Sequence, residues 1–143
     1  MSRLRKFLAL PGSDRRLLLR AAGREAWISA GLRLLPFSYW RPRMNDSAPA
    51  AAANESMHPV PADRIAWAVS AAARYVPGAT CLVQALVARD LLRNAGYPAR
   101  ICLGVDNHAE DRFQAHAWVE CEGRVLLGGT ESVYAPLPAI GVR

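Results

Sequence analysis

Two residues of this sequence have side chains and positions suited to nucleophilic catalysis. Cys81 follows Thr80 at the start of an apolar helical pattern, which predicts that the thiol lies at a helix N-terminus. The partial positive charge there, helped by a nearby imidazolium, stabilises the nucleophilic thiolate. His116 lies within residues 113–120, a stretch with the aromatic and β-branched residues of a strand. A histidine held there can act as base toward the thiol and as acid toward a leaving amine.

Both residues also have a purely structural interpretation. Cys81 can be a small buried residue at a helix start, and His116 a hydrogen-bonded histidine on a half-buried strand. Side-chain alternation places His116, Trp118 and Glu120 on one face of that strand, so Trp118 is the candidate substrate contact. We favour catalysis because the two residues occur in the order, and on the elements, that the chemistry needs.

The remaining cysteines are predicted to be structural. Cys102 lies mid-strand among apolar residues and Cys121 borders a hairpin turn, so neither begins a helix. Three cysteines without a C-x-x-C pair disfavour both a disulfide framework and a zinc site. We therefore expect no metal and no cofactor.

The predicted helices and strands around Cys81 and His116 indicate an α+β domain. In chain order they are helices at about 64–76 and 81–95 and strands at 100–105, 113–120 and 124–127. Gly96 ends the second helix, and Glu122-Gly123 forms a two-residue hairpin turn before the last strand. The tail is predicted to be irregular. The result is a helix with an N-terminal cysteine packed on a small antiparallel sheet.

The basic character of the chain belongs to its N-terminal part. Residues 1–43 carry a net charge of +8 and residues 44–143 carry −2. After a short arm, an amphipathic basic helix is predicted at about 14–35. We expect it to pack on the main domain, with docking to an acidic partner or contact with a membrane surface as alternatives. No nucleic-acid motif accompanies the arginines, so nucleic acid is not predicted as a partner.

Composition divides the chain into three predicted parts: a basic helical segment (1–44), an Ala- and Pro-rich linker (45–62) and the catalytic core (63–143). The sequence has no run of 18 uncharged apolar residues, which disfavours a membrane span. Charged residues interrupt the N-terminal apolar runs, so a signal peptide is not predicted either. The expected location is the cytoplasm.

Four short motifs of this sequence together resemble the transglutaminase-like superfamily. They are Thr80-Cys81-Leu82, Gly96-Tyr97-Pro98-Ala99, Leu103-Gly104-Val105 and Ala115-His116-Ala117-Trp118-Val119-Glu120. Over about residues 64–138 they are similar to the stand-alone leader peptidase of lasso-peptide biosynthesis. The resemblance implies a papain-like fold and a cysteine protease that removes the leader from a ribosomal precursor peptide. A separate ATP-dependent macrolactam synthetase then cyclises the released amine, and a separate leader-recognition protein is the implied partner.

The family triad includes an acid on the strand after the histidine strand. With the turn at Glu122-Gly123, Cys121 pairs with Arg124, and counting back places His116 opposite Gly129. The sequence has no carboxylate there, which is a departure from the family pattern.

Two carboxylates and the backbone are candidates for this third position. Glu120 shares a face with His116 but lies about 13 Å along the strand, too far to orient the ring. Glu131 is the nearest downstream carboxylate and is the predicted third member. A backbone carbonyl is the alternative, because the third member only orients and polarises the ring.

The sequence leaves two other functions open. One is a transglutaminase-like acyl transferase, which uses the same Cys–His pair to pass the acyl group to an amine. The other is a catalytically silent interaction module in which Cys81 and His116 are structural.

Overall fold

The structure is a computed structural model that describes residues 2–44, 60–106, 115–128 and 134–136. Its helices are α1 (Arg3–Leu8), α2 (Gly12–Leu34), α3 (Phe37–Met44), α4 (Ala62–Ala73) and α5 (Cys81–Asn94). Its strands are β1 (Ala99–Asp106), β2 (Ala115–Cys121), β3 (Arg124–Leu127) and β4 (Tyr134–Pro136). The predicted α+β class is confirmed. The predicted division at residues 44 and 62 stays a prediction.

The strands form an antiparallel sheet in the order β3-β2-β1-β4. The predicted turn between β2 and β3 is confirmed, with positive φ angles at Glu122 (52°) and Gly123 (76°). Cys121 pairs with Arg124 as expected, but Val119 pairs with Leu127. This irregularity shifts the register by one residue. The count that placed His116 opposite Gly129 assumed regular pairing, which this irregularity interrupts, and Gly129 itself lies outside the described residues.

One face of the sheet and the helices enclose the core. Burial alternates along β2, with Ala117, Val119 and Cys121 buried and the residues between them partly exposed. These three residues belong to the same apolar cluster as the buried face of α5, which packs against β1 and β2. Helix α4 packs against α5, and α2 covers both. The sheet face that carries Ala117 and Val119 is thus the one that faces the helices.

Three elements differ from the sequence prediction. α1 occupies part of the predicted arm, α3 follows the proline expected to end helical structure, and β4 lies in the tail predicted to be irregular. Packing explains α3: Trp40 is only 2% exposed, and a Cβ at Gly31 would lie 2.6 Å from its ring. This contact between Trp40 and α2 overrides the local proline signals, including Pro42 inside α3.

Helix α2 buries polar side chains on the face that packs against α4 and α5. Asp14 accepts a hydrogen bond from Arg64 Nε of α4 at 3.0 Å, and this bond lowers the pKa of the Asp14 carboxyl. Glu25 is completely buried, and neither carboxylate oxygen has a hydrogen-bond partner. Burial raises its pKa to about 7, so it holds its proton in acidic solution and loses it around neutral pH. Among the described ranges, no helix is both long and apolar enough to cross a membrane.

The raised pKa of Glu25 predicts a specific dependence of stability on pH. Native Glu25 keeps its proton up to about pH 7, whereas the unfolded side chain loses it near 4.5. Folding stability is therefore lost as the pH rises between these two values and changes no further above them. Glu25→Gln should gain stability over wild type as the pH rises from about 5 to about 8, by at most ~3 kcal/mol.

Urea denaturation at several pH values measures this difference directly. Glu122→Gln, which changes an exposed glutamate, is the control and should show no such gain. A Glu25→Gln difference that does not change with pH would contradict a buried neutral Glu25.

Candidate active site

The structure places Cys81 at the first position of α5, as predicted. Thr80 caps the helix with extended backbone angles (φ −67°, ψ 170°), and its Oγ1 accepts the N–H of Val83 at 3.4 Å. The side chain of Gln84 donates to the carbonyl of Ala79 at 3.0 Å, which holds the approach to the helix. Cys81 is half-buried against the apolar core. Its thiol therefore lies close to the partial positive charge of the helix N-terminus.

The turn before Cys81 is fixed to helix α2. The hydroxyl of Ser29 lies 3.3 Å from the carbonyl of Pro77 and 3.2 Å from that of Gly78, and it donates to them. Gly78 has φ +81°, and a Cβ there would lie 2.6 Å from both Ser29 Oγ and Arg33 Nη2. Glycine is therefore required at this point, both for its backbone conformation and for the close approach of α2.

The order of the elements brings Cys81 and His116 to the same end of the domain. Only four residues join α5 to β1, so β1 runs back along the helix. The rise from Cys81 to Asn94 is about 20 Å and that from Ala99 to Gly104 about 17 Å. Gly104 pairs with His116. His116 is therefore level with the N-terminal end of α5.

The His116 imidazole lies on the sheet face shared with Trp118, opposite the face that contacts the helices. The two rings are stacked, with centroids 6.4 Å apart and planes inclined by 23°. Because His116 is the second residue of β2, its ring is near the end of the sheet. The Cys81 thiol packs against the core on the other face. The two groups can therefore meet only around this end of the sheet.

A backbone carbonyl orients the His116 ring. The Nε2 atom contacts the carbonyl oxygen of Gly128, the residue that follows β3. A carbonyl only accepts hydrogen bonds, so Nε2 carries the proton and donates it. In this tautomer of the neutral ring, Nδ1 carries the lone pair. Nδ1 is therefore the atom that can accept a proton from a thiol.

Gly128 reaches this position through its backbone conformation. Its φ is +79°, and an added Cβ would lie 2.8 Å from the carbonyl oxygen of Ala117 and 3.2 Å from the Cα of Trp118. Both neighbours are backbone atoms of β2, which do not move aside easily. In the sequence, the Gly128-Gly129 pair is the signal that marks this close approach.

Glu120, which lies on the same sheet face as His116, is hydrogen-bonded to Trp118. Glu120 accepts the indole N–H of Trp118 at 3.1 Å and a hydrogen bond from Arg100 Nη2 at 2.6 Å. These two donors, that of Trp118 first, lower the pKa of Glu120 and keep it ionised. Glu120 thus fixes the indole of the predicted substrate contact. Glu131, the predicted third catalytic residue, lies outside the described part of the chain.

The other two cysteines are in environments that disfavour a thiolate. Burial raises the pKa of the Cys102 thiol, helped by the negative charge of Glu120. Burial also raises the pKa of the Cys121 thiol. In the described ranges, no group of three or more His, Cys, Asp or Glu residues is placed to hold a metal ion.

Comparison with known proteins identifies one family. The family model described as the transglutaminase-like superfamily matches residues 16–139, which is most of the chain and includes both Cys81 and His116. Comparisons with curated proteins and with solved structures found no match.

The close approach of Gly128 to β2 predicts the effect of adding one methyl group. Gly128→Ala should be destabilised by both its positive φ and the contact with the Ala117 carbonyl. Gly123→Ala is the matched control, because Gly123 has a similar φ of +76° with open space around its Cβ position. The control should cost about 1–2 kcal/mol, and Gly128→Ala at least about 1 kcal/mol more. Equal costs in urea denaturation would show that Gly128 is not packed against β2.

Proposed function

The chain belongs to the transglutaminase-like superfamily, and we propose that it is a cysteine peptidase with Cys81 as its nucleophile and His116 as its acid and base. The observation that carries this proposal is the placement of the two residues. Cys81 begins a capped helix, and His116, oriented by the Gly128 carbonyl, lies at the same end of the domain.

The first half of the reaction is acylation. Nδ1 of His116 takes the proton of the Cys81 thiol, and the thiolate sulfur attacks the carbonyl carbon of the scissile peptide bond. Helix geometry leaves the backbone N–H of Cys81 without a partner inside α5, so it is available to stabilise the oxyanion. The carbon–nitrogen bond then breaks, and the imidazolium gives its proton to the leaving amine. A thioester on Cys81 remains.

The second half returns the enzyme to its starting state. His116 takes a proton from water, the resulting hydroxide attacks the thioester carbon, and the carbon–sulfur bond breaks. The imidazolium then returns its proton to the Cys81 thiolate, and the acyl group leaves as a carboxylic acid. The Gly128 carbonyl keeps the ring in the required tautomer in both halves, in the role that an acid has in the family triad. Trp118, held by Glu120 beside His116, borders the substrate. That Glu131 also orients the His116 ring stays a prediction.

The proposed substrate is the leader region of a ribosomally made lasso-peptide precursor. The resemblance of the residues around Cys81 and His116 to stand-alone lasso leader peptidases supports this choice. A separate leader-recognition protein would present the precursor, and a macrolactam synthetase would use the amine that cleavage releases. The reaction would take place in the cytoplasm, where the precursor is synthesised. The basic surface of α1 and α2 is the proposed dock for the recognition protein.

Mass spectrometry of a candidate precursor tests both the peptidase activity and the proposed leader substrate. The precursor encoded beside this gene is incubated with the chain, with and without its candidate recognition partner. We expect two fragments whose masses add up to the precursor plus one water. Cys81→Ala should abolish cleavage, and His116→Ala should slow it by roughly 10²–10⁴-fold. Cys102→Ala is the matched control and should cleave like wild type.

Each outcome assigns the function differently. Equal cleavage by Cys81→Ala and wild type would overturn the assignment of the nucleophile. A gain in peptide mass that depends on Cys81 and an added amine would identify an acyl transferase instead. Cleavage of unrelated peptides but not of the precursor would keep the peptidase and reject the lasso-leader substrate.

A further inference from the structure

A second candidate site lies away from Cys81, where helices α2, α3 and α5 meet. A cavity of about 420 Å³ opens there, within the size range of small-molecule sites. We call it the arginine pocket and define it by Arg24, Trp40, Arg43, Arg89, Asp90 and Arg93. Arg89 is eight residues along α5 from Cys81, about 12 Å by helical rise. The pocket is therefore distinct from the candidate active site.

The charge of the arginine pocket is strongly positive. Four arginines and a single aspartate line it. Asp90 accepts hydrogen bonds from Nε and Nη2 of Arg89, at 3.3 and 3.0 Å. The guanidinium of Arg43 stacks over the ring of Trp40 at 5.4 Å, a contact that positions it without neutralising its charge. The charged side chains that line the pocket therefore sum to a net positive charge.

Two residues that line this pocket each have a buried donor without an acceptor. Arg89 is 4% exposed and Trp40 is 2% exposed. Neither Nη1 of Arg89 nor Nε1 of Trp40 has a hydrogen-bond partner. Buried donors are nearly always satisfied in folded proteins, and those that are not call for an explanation. A bound oxyanion would accept hydrogen bonds from donors of this kind, and guanidinium groups match carboxylate and phosphate geometry particularly well.

The walls of the pocket also suit an apolar group. Ile28 and Leu86 line it, together with the exposed indole of Trp27. We propose that the arginine pocket binds an organic anion, in which a carboxylate or phosphate is attached to an apolar group. The oxyanion lies against Arg89 and Trp40, and the apolar part lies against Trp27 and Ile28.

Isothermal titration calorimetry of the full chain tests this proposal without using its enzymatic activity. The probes are N-acetylphenylalanine, phenyl phosphate, inorganic phosphate and the neutral N-acetylphenylalanine amide. One or both aromatic anions should bind at least about tenfold more tightly than the neutral amide and inorganic phosphate. A further probe, a peptide that ends in a free Phe carboxylate, shows whether the carboxylate ligand is a peptide C-terminus or a small molecule. Tighter binding of this peptide than of N-acetylphenylalanine identifies a peptide ligand, and the reverse identifies a small molecule.

Variants place the binding in the pocket. Arg89→Gln and Arg43→Gln should each weaken binding of the aromatic anions by at least about tenfold. Arg43 is exposed, so its variant keeps the test valid if Arg89→Gln fails to fold. Arg16→Gln, an exposed arginine of α2 outside the pocket, is the matched control and should bind like wild type. Equal weakening in all three variants, equal affinity for inorganic phosphate, or no binding of either aromatic anion would overturn the proposal.

Discussion

The short connection between α5 and β1 is the constraint on which the candidate active site depends. The chain reverses within residues 95–98, with Gly96 at φ +89° and the N–H of Tyr97 bonded to the carbonyl of Leu92 at 2.9 Å. Because of this reversal, β1 returns along the helix, and its pairing with β2 brings His116 level with Cys81. A longer or looser connection would not fix β1 against α5, so the Cys81 thiol and the His116 imidazole would not be held at the same end of the domain.

The basic N-terminal segment takes part in both candidate sites. Ser29 of α2 holds the turn that precedes Cys81, so α2 sets where helix α5 begins. Buried residues of α2 such as Ala21 and Ile28 belong to the common core, although the same helix buries the unpartnered carboxyl of Glu25. Arg24 faces the arginine pocket from α2. The segment thus holds the turn before the candidate nucleophile and contributes a charged residue to the arginine pocket.

The sequence predicted the elements that have local signals. Thr80 as a cap and Glu122-Gly123 as a turn are local features, so α5 and the β2–β3 hairpin were found with nearly correct bounds. Helix α3, the register shift near Val119 and the burial of Glu25 arise from packing between distant segments, which single-sequence patterns do not carry. The contact of His116 with the Gly128 carbonyl is of the same kind. The carbonyl alternative was reasoned from chemistry, but the residue that provides it emerged only from the fold.

The most direct test of the account is whether the Cys81 thiolate depends on His116. The rate of Cys81 alkylation by iodoacetamide is measured by mass spectrometry between about pH 5 and pH 9, in wild type and in His116→Ala, with Cys102 and Cys121 as internal references. The account predicts that Cys81 reacts faster than both references near pH 6, and that His116→Ala removes this advantage. Cys81 reactivity that is the same in both proteins, or no greater than that of Cys102, would contradict a catalytic Cys81–His116 pair.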